Sequence, residues 1–275
     1  PVLSRGLGDV YKRQGNIKSG VPTITTSLRG LVDGVIVVDQ QMEPVHSGLG
    51  GGVVPDAFMI LSRIIASFHN DKGELLIEGL TPTEQDVFEL SDEFVKSSLS
   101  SNGVELFEMD SYSKRLWLEP ALSILAIDAP PVAESVNLLI PKAKAKVSLR
   151  LPPTEDPDHA MNMLEKHIKE NTPFNANVNF IPEAKGKGIL VDPKNEFSSK
   201  LIESFNKNWE NEVAYMGVGG SIPFANVFIN EFPNSEIVLV GAGDEEGNAH
   251  APNESVNIDD IKRLITSLTD ALSNY

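Results

Sequence analysis

Residues 142–151, KAKAKVSLRL, alternate without a break, with Ala143, Ala145, Val147, Leu149 and Leu151 on one face. Lys142, Lys144, Lys146, Ser148 and Arg150 fall on the other. A period of two marks a β-strand with one packed and one solvated face, as in an antiparallel sheet. From Leu28, LRGLVDGVIVVDQ is rich in β-branched residues and predicts a second strand, and LLIEGL a third, short one. A helical period runs through Ile60, Leu61, Ile64, Ile65 and Phe68, with Pro55 placed at the first turn. Residues 83–99 predict another helix with Val87, Leu90, Phe94 and Val95 inward. PPTEDPDHAMNMLEKHI starts one more, its stripe being Met163, Leu164, His167 and Ile168. From Gly30 to about Ile181 the order is therefore α+β, met by an antiparallel sheet covered on one side by two helices.

Composition changes at PEAKGKG, residues 182–188, which reads as a linker. Beyond it come the helix NEFSSKLIESFNKNW, the loop YMGVGGSIPFANVF and the apolar strand EIVLVGAG. An acidic loop, GDEEGNAHAPNE, then leads to a last helix capped by Asn257, with Ile261, Leu264, Ile265, Leu268 and Leu272 on one face. This part is α/β in style and too short for a full sheet domain, so its other strands are expected from elsewhere.

The chain has 275 residues, 41% of them apolar, enough for one large domain or two ordinary ones with packed cores. No apolar run approaches the roughly 20 residues that cross a bilayer. A formal charge of −16 argues against a nucleic-acid partner, which requires a basic surface. The absence of cysteine excludes disulfides and thiolate metal sites and fits a cytoplasmic protein. Any metal must then be held by His, Asp and Glu, a donor set suited to zinc, manganese or magnesium. SRGLGDVYKRQ, residues 4–14, lacks apolar periodicity and resembles the in-frame translation of a transposase-based sequencing adapter. On that reading residues 1–14 are non-native, native sequence begins near Gly15, and a missing part lies upstream.

Four places carry candidate chemistry. His46, in VHSGLGGG, sits on a glycine-supported loop and can donate a hydrogen bond to a developing oxyanion; a solvated loop histidine fits the same spacing. Arg150 can grip a carboxylate with both arms of its fork, or simply belong to a solvated basic face. GVGGSIP, with Gly220 and Ser221, can present N–H groups and a hydroxyl to an anion, or be a plain turn. It lacks the Lys-Ser/Thr ending of a nucleotide-binding loop. His250 lies among Asp244, Glu245, Glu246 and Glu254, which suits a divalent ion, yet no second histidine stands at ligand spacing. His69, His159 and His167 read as structural.

The order GVPTITTSLRG, VHSGLGGGVVPDAFMILSRII, IPKAKAKVSLRLPP, GVGGSIPFANVF, GAGDEEGNAHAPNE resembles the zinc aminoacylase/dipeptidase superfamily, which includes carnosinase-type dipeptidases and carboxypeptidase G. The match runs from about Gly20 to the end, and LRG, HSGLGGG and HAPNE point to the dipeptidase branch. The resemblance implies an α+β lid and dimerisation domain inserted in an α/β zinc-peptidase domain, of which only the C-terminal part is present. On that mapping residues 15–27 close the first catalytic segment, 28–187 form the lid, and 188–275 form the last catalytic part.

The resemblance also implies the site. His250 matches the final zinc-binding histidine, and His46 the lid histidine that reaches the partner subunit's site and steadies the oxyanion. Arg150 matches the arginine holding the substrate's terminal carboxylate, with Ser221 and Gly220 near the same group. Asn137 stands near a substrate-contacting position, its spacing to Arg150 one residue off. Two divalent ions are implied, zinc or else manganese, with a small peptide or N-acyl amino acid as substrate, a homodimer, and neither nucleic acid nor membrane as partner. The family's H-x-D motif, bridging aspartate, Glu-Glu pair and further acidic ligand have no counterpart upstream of Gly15, so this chain is expected to bind zinc poorly and hydrolyse nothing alone. The full-length parent is expected to be a metallo-dipeptidase; an N-acyl amino acid deacylase and a non-catalytic dimerisation module are the alternatives.

Overall fold

The computed structural model describes residues 15–99, 105–220, 223–232, 235–244, 247 and 252–275. β1 (Thr23–Leu28) passes at Arg29 straight into β2 (Gly30–Asp39), so one extended run serves two sheets. β3 (Val45–His46), the one-turn helix α1 (Ser47–Gly50), α2 (Ala57–Ala66), α3 (Asp92–Leu99), α4 (Tyr112–Trp117) and β4 (Ala121–Asp128) follow. Then come β5 (Leu138–Leu139), β6 (Lys142–Leu151), α5 (Pro157–Glu170), β7 (Val178–Gly186) and β8 (Ile189–Leu190). α6 (Glu196–Asn208), β9 (Ala214–Val218), α7 (Pro223–Glu231) and α8 (Ile258–Ser273) complete the order.

The larger sheet is antiparallel throughout, in the order β4-β6-β2-β7. β2 and β6 pair residue for residue from Gly30 opposite Leu151 to Asp39 opposite Lys142. That register puts Val32, Ile36 and Val38 on the same buried face as Ala143, Ala145, Val147, Leu149 and Leu151, as the alternation requires. α2 and α5 cover this face with Ile60, Leu61, Ile64, Ala160, Leu164 and Ile168. Each large aliphatic side chain so buried contributes about 1.5–3 kcal/mol. Gly34 is bare because a Cβ there would fall 2.3 Å from the Phe180 ring on the adjacent strand.

Helix starts follow the capping residues. α2 begins two residues later than Pro55 suggests, because the Asp56 carboxylate accepts from the Met59 N–H at 2.9 Å and serves as N-cap. Asp156 caps α5 in the same way, and Asn257 caps α8 as expected.

The smaller sheet, β8-β1-β9, has β9 parallel and β8 antiparallel to β1. α6 and α8 pack on one side through Ile24, Leu201, Phe205, Trp209 and Ala271. On the other side Leu28, Met216 and Val218 meet Leu90, Val95, Trp117 and Leu118. Residues 83–99 thus pack away from the larger sheet, and only Asp92–Leu99 is helical. Ahead of it, tertiary partners replace helical ones: the Thr83 N–H donates to Leu118 O, Phe88 to Tyr215 O and Leu90 to Ser113 Oγ. The apolar positions still turn inward, with Leu90 and Val95 buried and Val87 and Phe94 packed against them.

Other elements also depart from expectation. LLIEGL makes only an isolated bridge between Leu75 and His69. Residues 182–186, in the expected linker, continue β7 against β2, with an irregularity between Asp33 and Gly34 absorbing the extra residue. The expected loop YMGVGGSIPFANVF carries β9 and α7. EIVLVGAG is not a strand: residues 189–191 occupy the β1 edge along Thr26, Ser27 and Leu28, leaving Leu239 a single bridge to Thr25. In α8, Ile265 (59% exposed) and Leu272 (64%) face outward, while Asp260, Ser267 and Ala271 are buried. Ser267 accepts from Trp209 Nε1 at 3.2 Å and Asp260 from the Gly20 N–H at 2.8 Å, so hydrogen bonds orient the helix. Among the described residues no helix is long and apolar enough to cross a membrane.

Candidate functional site

His46 stands on a small arm at one end of the larger sheet. β3 and β5 pair there, Val45 opposite Leu139 and His46 opposite Leu138, and the Ser47 N–H donates to Asn137 O at 2.9 Å. The imidazole is exposed and caps α1, its Nδ1 accepting from the Gly48 N–H at 3.0 Å. The glycine run has local reasons: a Cβ on buried Gly50 would lie 2.9 Å from Val45 Cγ1, and Gly52 has φ +83°. Leu49, Val53, Val132 and Val136 leave an apolar exterior on this part of the chain. Asn137 is exposed and contributes its carbonyl to the histidine's turn.

Arg150 lies at the other end of β6, opposite Leu31 on one side and Ala121 on the other. Two lysines on the same face are neutralised, Lys142 by Asp39 at 2.9 Å and Lys146 by Glu183 at 2.7 Å. The Lys142 ammonium holds the Asp39 carboxyl below its ordinary range, and Glu183 raises the Lys146 ammonium. Arg150 makes no ion pair among the described residues. From Lys142 to Arg150 the strand advances eight residues, about 27 Å at 3.4 Å per residue.

The glycine turn after β9 lies at Arg150's end. Arg29, two residues from Arg150's partner Leu31, donates its N–H to Val218 O at 3.0 Å. Its buried guanidinium lies so close to Gly219 that a Cβ there would fall 3.0 Å from Nη2, while Gly220 faces open space. Arg29 is a residue the sequence reading missed; its only signal is a charged residue in LRG at the head of an apolar run. The geometry brings His46 together with Asn137 and Arg150 towards Gly220, but keeps the two pairs apart. Ser221 and His250 lie outside the described residues.

Other histidines serve the fold, as expected. His167 Nε2 lies 3.1 Å from both Ser67 Oγ and Ser67 O, and the ring stacks on Phe68 at 5.2 Å. Burial holds its imidazole below the usual range, and burial followed by the Arg115 charge does the same at His69. His159 pairs with Glu155 at 2.8 Å. Among the described residues no three His, Asp or Glu side chains are grouped to hold a metal ion. These residues alone therefore do not fit a metal centre.

The family profile described as "Peptidase dimerisation domain" matches residues 26–176. The chain is 30% identical over 271 residues to the cysteinylglycine-S-conjugate dipeptidase of Corynebacterium striatum, covering 95% of this chain and 58% of that protein. It is 25% identical over 276 residues to the Cys-Gly metallodipeptidase DUG1 of Saccharomyces cerevisiae, covering 92% and 56%. The solved structure of the yeast di-peptidase Dug1p superposes with a TM-score of 0.75 at 21% identity, over 96% of this chain and 58% of that one. Human carnosine dipeptidase 1 gives 0.71 at 19%, over 94% and 58%. The chain shares the fold of these dipeptidases and spans somewhat more than half their length.

Proposed function

Because the chain belongs to the peptidase dimerisation domain family of M20 metallopeptidases, we propose that it supplies the lid and last catalytic segment of a dimeric metallo-dipeptidase. Residues 28–187 are assigned to the lid apart from residues 83–118, which pack on the smaller sheet and go with 15–27 and 188–275 to the catalytic domain. The topology supports an insertion: β1 and β9 are parallel neighbours although the whole larger sheet lies between them in sequence.

The roles follow from chemistry and placement. Arg150, without an ion pair among the described residues, grips the carboxylate of the substrate through two parallel hydrogen bonds. Gly220 and Ser221 sit beside that group, with Arg29 bracing the turn. His46 donates to the oxyanion that forms as the scissile carbonyl is attacked, and Asn137 holds its turn and faces the substrate. His250 is assigned as one metal ligand. A bound divalent ion, zinc or manganese, supplies Lewis-acid and water-activating chemistry in such enzymes.

The placement of Arg150 and His46 towards opposite ends of β6 carries this reading. An extended dipeptide spans about 7 Å, far less than the strand length between these ends. One substrate can meet both residues only if a second copy supplies the histidine. The exposed Leu125 and Ile127 on edge strand β4, and the apolar arm around His46, offer the surface for it. In a full-length enzyme containing this chain, His46→Ala should lower kcat about 10²–10³-fold with little change in KM, whereas Arg150→Lys should chiefly raise KM. An unchanged kcat for His46→Ala would remove the histidine from the chemistry.

A further inference from the structure

The arm that carries His46 constrains the protonation of the ring as well as its place. The Gly48 N–H lies 3.0 Å from Nδ1. A main-chain N–H can only donate, so Nδ1 must present its lone pair, and in the neutral ring the proton resides on Nε2. The ring also rests against Gly48: a Cβ at that position would fall 3.1 Å from Nδ1 and 3.2 Å from Cε1. On both sides the main chain is pinned, by the pairing of His46 with Leu138 and by the bond from the Ser47 N–H to Asn137 O.

We propose that Gly48 is a positioning residue whose N–H and missing side chain hold His46 in the Nε2–H tautomer. The exposed Nε2 edge is then the single hydrogen-bond donor that the neutral ring can offer outside its own turn. This deepens the oxyanion assignment and rests on it, since a ring protonated on Nδ1 would present no donor at Nε2. One ordinary hydrogen bond shifts the tautomer ratio about fivefold. Two substitutions separate the contributions: proline would remove the donor, whereas alanine would keep it but press on the ring, which must give by a few tenths of an ångström.

The test is nitrogen NMR of the 275-residue chain labelled with ¹⁵N-histidine, at a pH where the ring is neutral. A His46→Ala spectrum identifies its signals among the five histidines. The expected wild-type result is an unprotonated, pyridine-type Nδ1 and a protonated, pyrrole-type Nε2. Gly48→Pro should move both signals towards averaged values while the other histidines keep theirs, and Gly48→Ala should move them less. A protonated Nδ1 in the wild-type chain overturns the proposal, as does a His46 tautomer that Gly48→Pro leaves unchanged. If Gly48→Pro does not fold, Gly48→Ala decides: His46 signals that stay at their wild-type values overturn the proposal. The tautomer is read without turnover, so failure of the oxyanion role, seen in the kcat of His46→Ala, is distinguishable from failure of this inference.

Discussion

His46 and Arg150 lie towards opposite ends of β6, whose run from Lys142 to Arg150 advances about 27 Å. Arg150 is the last residue but one of that strand, whereas His46 pairs with Leu138, four residues before its start. Neither side chain is tied up by a carboxylate among the described residues. The sheet between them is rigid, with α2 and α5 packed along its inner face. Flexing this sheet to bring the two together would break a packed core, so their cooperation requires a second copy of the chain.

That requirement puts weight on β4, an edge strand with free backbone groups and with Leu125 (56%) and Ile127 (53%) exposed. Leu125→Lys with Ile127→Lys should convert a dimer into a monomer in sedimentation equilibrium while leaving the far-ultraviolet circular dichroism unchanged. A wild-type chain that is already monomeric at micromolar concentration would contradict the proposed interface.

Acid should weaken the fold through two histidines that burial holds neutral. His167 and His69 are held below their ordinary value of 6.5, chiefly by burial, so between that value and their lowered ones the unfolded chain binds more protons. Their contribution to stability is full above pH 6.5 and declines as pH falls below it. Urea midpoints should decrease from pH 7 to pH 5, and His167→Gln should flatten the decrease. A flat profile in the wild-type chain would refute this origin.

Residues 83–118 should behave as part of the smaller sheet. Trp117 is 4% exposed, and its Cβ would be only 2.3 Å from a Cβ added at Gly217 of β9. Trp117→Ala should cost about 3–5 kcal/mol by urea unfolding, as expected for a buried aromatic. A loss below about 1 kcal/mol would show that this segment does not dock there.

How much of this could be read from sequence depends on how local each signal is. The alternation of residues 142–151 and the cap at Asn257 act within a few residues, and both elements form as expected. Residues 83–91 carry apolar positions that suit a helix equally well, and their main chain is satisfied by Tyr215 and Leu118, far away in sequence. TITTSL hides a fully buried strand because four of its six side chains are hydroxyls that carry no apolar signal, although Thr26 Oγ1 donates to Met216 O inside. His46, Asn137, Gly220 and Arg150 could be named one by one as candidates. Their grouping could not, because it depends on the register of β6 and on the bonds that Asn137 and Arg29 make across the chain. The role of Gly48 needed the 3.0 Å contact to Nδ1 itself.

The central claim, that one active site draws Arg150 from one subunit and His46 from its partner, is tested most directly by mixing two inactive variants. His46→Ala and Arg150→Ala full-length enzymes, each nearly inactive alone at substrate well below the wild-type KM, should recover about a quarter of wild-type turnover when co-expressed, because half the dimers are mixed and each mixed dimer has one intact site. Turnover no higher than that of either variant alone would contradict the account.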